Sequence, residues 1–158
     1  MVTDGSREEE GGGRGEDAIV CRDTQMKIAV YTAIYGKYDM LRLHPDVPGV
    51  DFHCFTDDPE LLDRQDWIVH LLPSSLPPRL AAKWPKVLGP QNPPLDAYDV
   101  TLWVDANCDF TSTRFVEEAL TDLGPDGFAL YRNPDLDENH ASVAASRRAD
   151  PGRSGPLF

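Results

Sequence analysis

From residue 26 onward the apolar positions fall into short runs separated by prolines, glycines and acids, and the runs alternate between two periods. Ile28 to Ile34 is β-branched and apolar at successive positions, the pattern of a strand covered on both faces. Tyr35 to Asp39 follows as a turn. Val50 to Phe55 predicts a second strand that ends in Thr56-Asp57-Asp58-Pro59. There Thr56 or Asp57 would cap a short helix over Glu60 to Leu62, with Pro59 near its first turn. Trp67 to Leu72 predicts a third strand, within which His70 reads as a satisfied core or edge residue. Arg79 to Leu88 has the helical period, with Leu80, Trp84, Val87 and Leu88 on one side and a kink or restart at Pro85. Tyr98 to Phe110 opens with the apolar run Val100 to Val104, a fourth strand. Thr111 to Leu123 predicts a helix with Phe115, Val116, Ala119, Leu120 and Leu123 on one side and Gly124 as its stop. Gly127 to Arg132 predicts a fifth strand. Strands alternating with helices define an α/β sandwich with a mostly parallel sheet.

The ends read differently. Residues 1–25 are Gly-rich and acidic with little to bury, and are expected to be disordered. Residues 133–158 hold few large apolar side chains and end in RRADPGRSGPLF, which reads as an irregular, truncated or out-of-frame tail. One folded domain over residues 26–132 is therefore expected. A formal net charge of −12 argues against a nucleic-acid backbone as partner. It still allows a phosphate substrate bridged by a cation. Cys21, Cys54 and Cys108 are an odd number without paired spacing, so neither a disulfide framework nor a zinc site is expected. Cys54 belongs to a core pattern, and Cys108 has no histidine near it in sequence to make it a nucleophile. No apolar run approaches the roughly 20 residues a membrane helix needs. The acidic start lacks the features of a signal peptide, so a cytoplasmic chain is expected.

Candidate chemistry concentrates in two places. Asp105 and Asn107 put oxygens at the carboxyl end of the fourth strand, where open α/β sheets take ligands. Two hard oxygens on a short turn suit Mg²⁺ or Mn²⁺ shared with substrate phosphates. The same residues also suit a plain turn or a helix cap. Arg79, Lys83 and Lys86, spaced by four and then three positions, share one helix face. That face is either a solvated basic surface or a diphosphate contact.

Four segments then carry a resemblance. KIAVYTAIYGKYD, VDFHCFTDDP, the basic helix and YDVTLWVDAN, in that order over residues 26–132, resemble the glycosyltransferase-like domain of the plant turgor-regulation-defect and mucilage-related proteins and their short bacterial members. The resemblance implies a GT-A-like (Rossmann-like) fold and transfer of a sugar from a nucleotide-sugar donor to an acceptor it does not name. It implies that Asp105 and Asn107 stand where those enzymes have a D-x-D motif holding Mn²⁺ or Mg²⁺. It implies that the turn from Thr32 to Tyr35, with Asp57, surrounds the nucleoside, and that Arg79, Lys83 or Lys86 faces the diphosphate. One departure stands out. Where the family continues with an H-P-x-R motif and an acidic helix, this chain reads Tyr131-Arg132-Asn133-Pro134-Asp135. Two other functions follow: an incomplete, catalytically inactive homologue acting as a binding or interaction module, and a metal-assisted hydrolase using the same acidic turn.

Overall fold

A computed structural model describes residues 26–132 and 141–147. Its strands are β1 (Ile28–Ile34), β2 (Val50–Thr56), β3 (Ile68–Leu71), β4 (Val100–Val104), β5 (Phe128–Arg132) and β6 (Ala141–Arg147). Its α-helices are α1 (Pro78–Ala81), α2 (Lys83–Leu88) and α3 (Phe115–Asp122). The strands form one six-stranded sheet in the order β3-β2-β1-β4-β6-β5. The first four are parallel, with β1 between β2 and β4. Strand β6 runs antiparallel to both β4 and β5. The α/β class holds, with a four-stranded parallel part and a mixed sheet as a whole.

Strand β6 corrects the expectation of an irregular end over residues 141–147; the rest of 133–158 lies outside the described residues. Its sequence, ASVAASR, has no large apolar residue and is rich in alanine and serine, which favour strands poorly. Local pattern therefore gives no strand signal. Ladder pairing on both edges, to Val100–Val104 on one side and Phe128–Arg132 on the other, makes this segment a strand. The expectation of disorder over residues 1–25 lies outside the described residues.

Alternation along the strands divides the core into two clusters. One holds Val30, Ile34, Phe52, Cys54, Val100, Leu102 and Val104, packed with Val116 and Ala119 of α3. Aromatic rings fill out this cluster. Phe52 contacts Trp67, Phe110 and Phe115, and His44 stacks flat on Phe52 with centroids 3.6 Å apart. The ring nitrogens of His44 face the carbonyl oxygens of Pro45 and Asp66, and the nitrogen that carries the proton donates to its carbonyl. The second cluster holds Ala29, Tyr31, Ala33, Tyr35, Phe55 and Trp103 with Ala81 and Leu95.

The segment over 79–88 differs from its expected form in two ways. It is two short helices meeting at Ala82, and its buried residues are Ala81 and Pro85. Leu80, Trp84, Val87 and Leu88, expected to pack, are 50%, 41%, 66% and 41% exposed. The sheet face beneath already carries the rings of Tyr31 and Trp103, which leaves room for the small Ala81 and not for a row of leucines. The short helix expected after β2 is a 3-10 turn over Pro59–Asp63. Its cap is Asp58, whose Oδ1 accepts from the Glu60 N–H at 3.1 Å, and not Thr56 or Asp57. Thr56 instead accepts the Asp58 N–H on its hydroxyl at 3.0 Å.

Candidate functional site

The strand order reverses direction between β1 and β4: β2 and β3 lie on one side of β1, and β4 on the other. Such a switch point leaves a crevice beyond the carboxyl ends of the two strands, because the connections depart to opposite sides. A cleft of about 330 Å³ lies there. Tyr35, Tyr38 and Asp39 line it after β1, Trp103, Asp105 and Asn107 line it at the end of β4, and Arg79, Lys83 and Lys86 line it from α1 and α2.

The turn after β1 is held rigidly. Gly36 and Lys37 are both left-handed, with φ of 63° and 54°. A side chain at Gly36 would be strained by that φ, and its Cβ would come within 2.5 Å of Pro78 Cγ. The turn therefore sits directly against the start of α1, the helix that carries Arg79. The Gly36 N–H donates to Asp57 Oδ1 at 2.9 Å, which ties the ends of β1 and β2 together.

Asp105 is positioned from three elements. The turn that follows β4 closes through the Cys108 N–H on the Asp105 carbonyl at 2.9 Å. Asp105 Oδ1 accepts from Trp103 Nε1 at 2.7 Å and from Lys86 Nζ at 3.1 Å. Lys86 Nζ also lies 5.1 Å from the centre of the Trp103 ring, where the electron-rich face attracts a cation. Tyr31 packs edge-on to Trp103 at 5.2 Å and donates its hydroxyl to the Lys86 carbonyl at 3.2 Å. Burial raises the Tyr31 pKa far above the phenol range, so that donor persists at any working pH. Arg79, Lys83 and Lys86 face Asp39 and Asp105 around the cleft, three cations against two carboxylates in a chain of net charge −12.

Six residues expected at a donor site thus meet at one cleft: Tyr35, Arg79, Lys83, Lys86, Asp105 and Asn107. Thr32 and Asp57 do not line it. Thr32 lies within β1, which runs on to Ile34, so the turn begins at Tyr35 and not at Thr32. Thr32 is buried, its Oγ1 has no hydrogen-bond partner among the described residues, and it lines a small pocket with Leu41, Trp67 and Cys108. Asp57 works through the Gly36 N–H and shapes the turn. Tyr35 is almost wholly buried, and burial, with Asp57 adding to it, lifts its phenol to about 12. Burial first, then the charge of Asp105, raises the Cys108 thiol, which keeps it protonated and poorly nucleophilic.

Among the described residues no three Asp, Glu, His or Cys side chains are grouped to hold a metal ion. At the end of β4 the cleft offers the carboxylate of Asp105 and the exposed amide of Asn107, while its other carboxylate, Asp39, lies after β1. That donor set does not make a self-standing metal site. It does suit a hard ion that keeps its waters and takes most other ligands from phosphates.

Sequence inspection missed Trp103 and Tyr31, whose polar ends matter only once α2 lies across them. It also missed a polar chain on the same sheet face. Tyr98 Oη donates to Asp51 Oδ2 at 2.7 Å, so its oxygen can accept from His53 Nε2 at 2.9 Å. His53 Nδ1 is then left to accept from His70 Nε2 at 2.8 Å. Burial, reinforced by His70, pushes the His53 pKa down to about 4, and burial lowers His70 as well. Only the β2–β3 register, which sets His70 beside Phe55, brings the two imidazoles together.

Fold and cleft define a class: an α/β protein with a cation-lined crevice at the switch point of its parallel strands. No protein-family model matches the chain, and no curated protein matches it. Among the described residues no helix is long and apolar enough to cross a membrane.

Proposed function

We propose that the cleft binds a nucleotide-sugar donor and that the protein transfers its sugar to an acceptor. The observation that carries this reading is the convergence of Arg79, Lys83 and Lys86 on the crevice that also holds Asp105 and Asn107. Sugar transfer leaves a nucleoside diphosphate, on which negative charge grows as the glycosidic bond to phosphate breaks. Fixed cations beside the diphosphate stabilise that charge more in the transition state than in the ground state. A divalent ion held by Asp105 and Asn107, when bound with the phosphates, would neutralise the same charge. Tyr35 and Tyr38 give the cleft aromatic walls near the β1 turn, which suit a nucleoside.

Calorimetric titration with UDP and GDP, with and without Mn²⁺, tests the binding half of the proposal. Binding of one of them, strengthened by Mn²⁺, is expected. No binding of either nucleotide under any condition would overturn it. Product analysis with the corresponding nucleotide sugars then separates transfer from hydrolysis, and binding without turnover identifies a binding module.

A further inference from the structure

We propose that Lys86 is the resident counter-ion of Asp105 and keeps divalent cations off that carboxylate until a diphosphate draws the lysine away. This rests on the nucleotide-sugar reading of the cleft. The ammonium of Lys86 stands 3.1 Å from Asp105 Oδ1, the oxygen that Trp103 Nε1 also occupies. Its position has further support. The Trp103 ring face lies beneath it, and Tyr31 holds the Lys86 backbone carbonyl. Both charged groups are only about a third exposed, 31% for Lys86 and 35% for Asp105, so water screens the pair incompletely.

A divalent ion entering alone finds a poor site. The one carboxylate it needs is already neutralised, and an ammonium at contact distance repels it. No third acid, histidine or cysteine joins Asp105 there among the described residues. A diphosphate changes the balance. It offers Lys86 several anionic oxygens where Asp105 offers one that is shared with an indole. Arg79 and Lys83 line the same cleft and bring the phosphates within reach of α2. Lysine pivots readily on its four-carbon stem, so Lys86 can change partners without moving the helix. Asp105 then regains a full negative charge beside phosphate oxygens, the mixed ligand set that Mg²⁺ and Mn²⁺ favour. Nucleotide precedes metal in this scheme, and by linkage each tightens the other by the same factor.

Titration of Mn²⁺ into the full-length protein, followed by the electron-spin-resonance signal of free Mn²⁺, tests this without any turnover. Wild type, Lys86→Met and Asp105→Asn are compared, each alone and with saturating UDP or GDP. Wild type alone should bind Mn²⁺ at least tenfold more weakly than Lys86→Met alone. Asp105→Asn should bind weakly in every condition. Equal Mn²⁺ affinity of wild type and Lys86→Met without nucleotide would overturn the gating role of Lys86. A gain in Lys86→Met, in a protein to which neither nucleotide binds, would uphold the counter-ion role and sink the nucleotide reading alone. Circular dichroism of each variant shows whether the fold is retained, and Lys86→Gln repeats the test with a polar side chain.

Discussion

The face of the sheet beneath α3 and the face beneath α1 and α2 are built from different materials. Under α3, aliphatic side chains from β1, β2 and β4 meet the rings of Phe52, Trp67, Phe110 and Phe115, and the few polar ring atoms, Trp67 Nε1 and the His44 nitrogens, face backbone carbonyls of Arg42, Pro45 and Asp66. Under α1 and α2 the rings carry polar ends that are hydrogen-bonded to particular partners: Tyr31 to Lys86, Trp103 to Asp105, Tyr98 to Asp51. Apolar packing is roughly proportional to area and indifferent to direction, so it secures the fold without fixing one atom against another. Hydrogen bonds from these rings fix direction, and that is what a cleft with two carboxylates and three cations requires. Stability and positioning are in this way assigned to opposite sides of the same strands.

The sharpest test of that division is truncation on the apolar face. Phe52→Ala should cost about 3–5 kcal/mol in urea unfolding, through lost burial and an unfilled cavity. Nucleotide affinity of the folded fraction should stay unchanged. Next in size is Gly36→Ala. The left-handed φ and the approach to Pro78 oppose any side chain there, so a loss of roughly 1–3 kcal/mol is expected. Because the clash pushes on α1, this variant should also weaken nucleotide binding, which Phe52→Ala should not. Arg79→Ala should reverse the pattern, with UDP or GDP affinity falling about tenfold and the urea midpoint almost unmoved, as for most surface changes. Equal loss of stability and binding in all three variants would erase the distinction between the faces.

The smallest predicted effect is on pH. His53 is held near 4 in the fold against an ordinary value of 6.5, so between these values the unfolded chain binds more protons than the folded one. Stability should therefore rise with pH across this window, and be lost as the solution is acidified from about 6.5 towards 4. The chain Asp51–Tyr98–His53–His70 lies at the β3 edge and solvent reaches part of it, so about 1 kcal/mol is expected, below the full linkage value. His53→Asn should flatten the dependence in melting curves recorded between pH 4 and 7.

Strands β1 to β5 were legible because each is a short apolar run, continuous or alternating, bounded by turn residues. The cation cluster was legible because helical spacing alone puts Arg79, Lys83 and Lys86 on one side. What faces the sheet from that helix was not. Leu80, Trp84 and Val87 mimic a buried stripe, yet the bulk of Tyr31 and Trp103 below reserves the contact for Ala81. Thr32 was put at the cleft by the resemblance alone, whereas the apolar pattern already carried the strand to Ile34 and agrees with β1. The histidine pair depends on register between strands that lie fifteen residues apart in sequence, from His53 to Ile68. Single-chain patterns carry no register. Strand β6 left no pattern at all, since its identity is conferred by its neighbours.

That last strand also imposes an order of events on the chain. Strand β5 has β6 as its neighbour in the sheet and is not paired with β4. Residues 128–132 therefore have no ladder to join until residues 141–147 have been synthesised and have inserted beside β4. Until then the edge of β4, whose five residues are all buried in the finished fold, presents unpaired amides and carbonyls. Another chain can pair there as readily as β6 can. A ribosome releasing this protein thus exposes an unpaired strand edge for the time needed to make residues 105–147, about a third of the span from residue 26 to residue 147. Slow codons or a nick between β4 and β6 would lengthen that exposure, and the visible result would be insoluble protein, with the residues that line the cleft already made at the carboxyl end of the same strand.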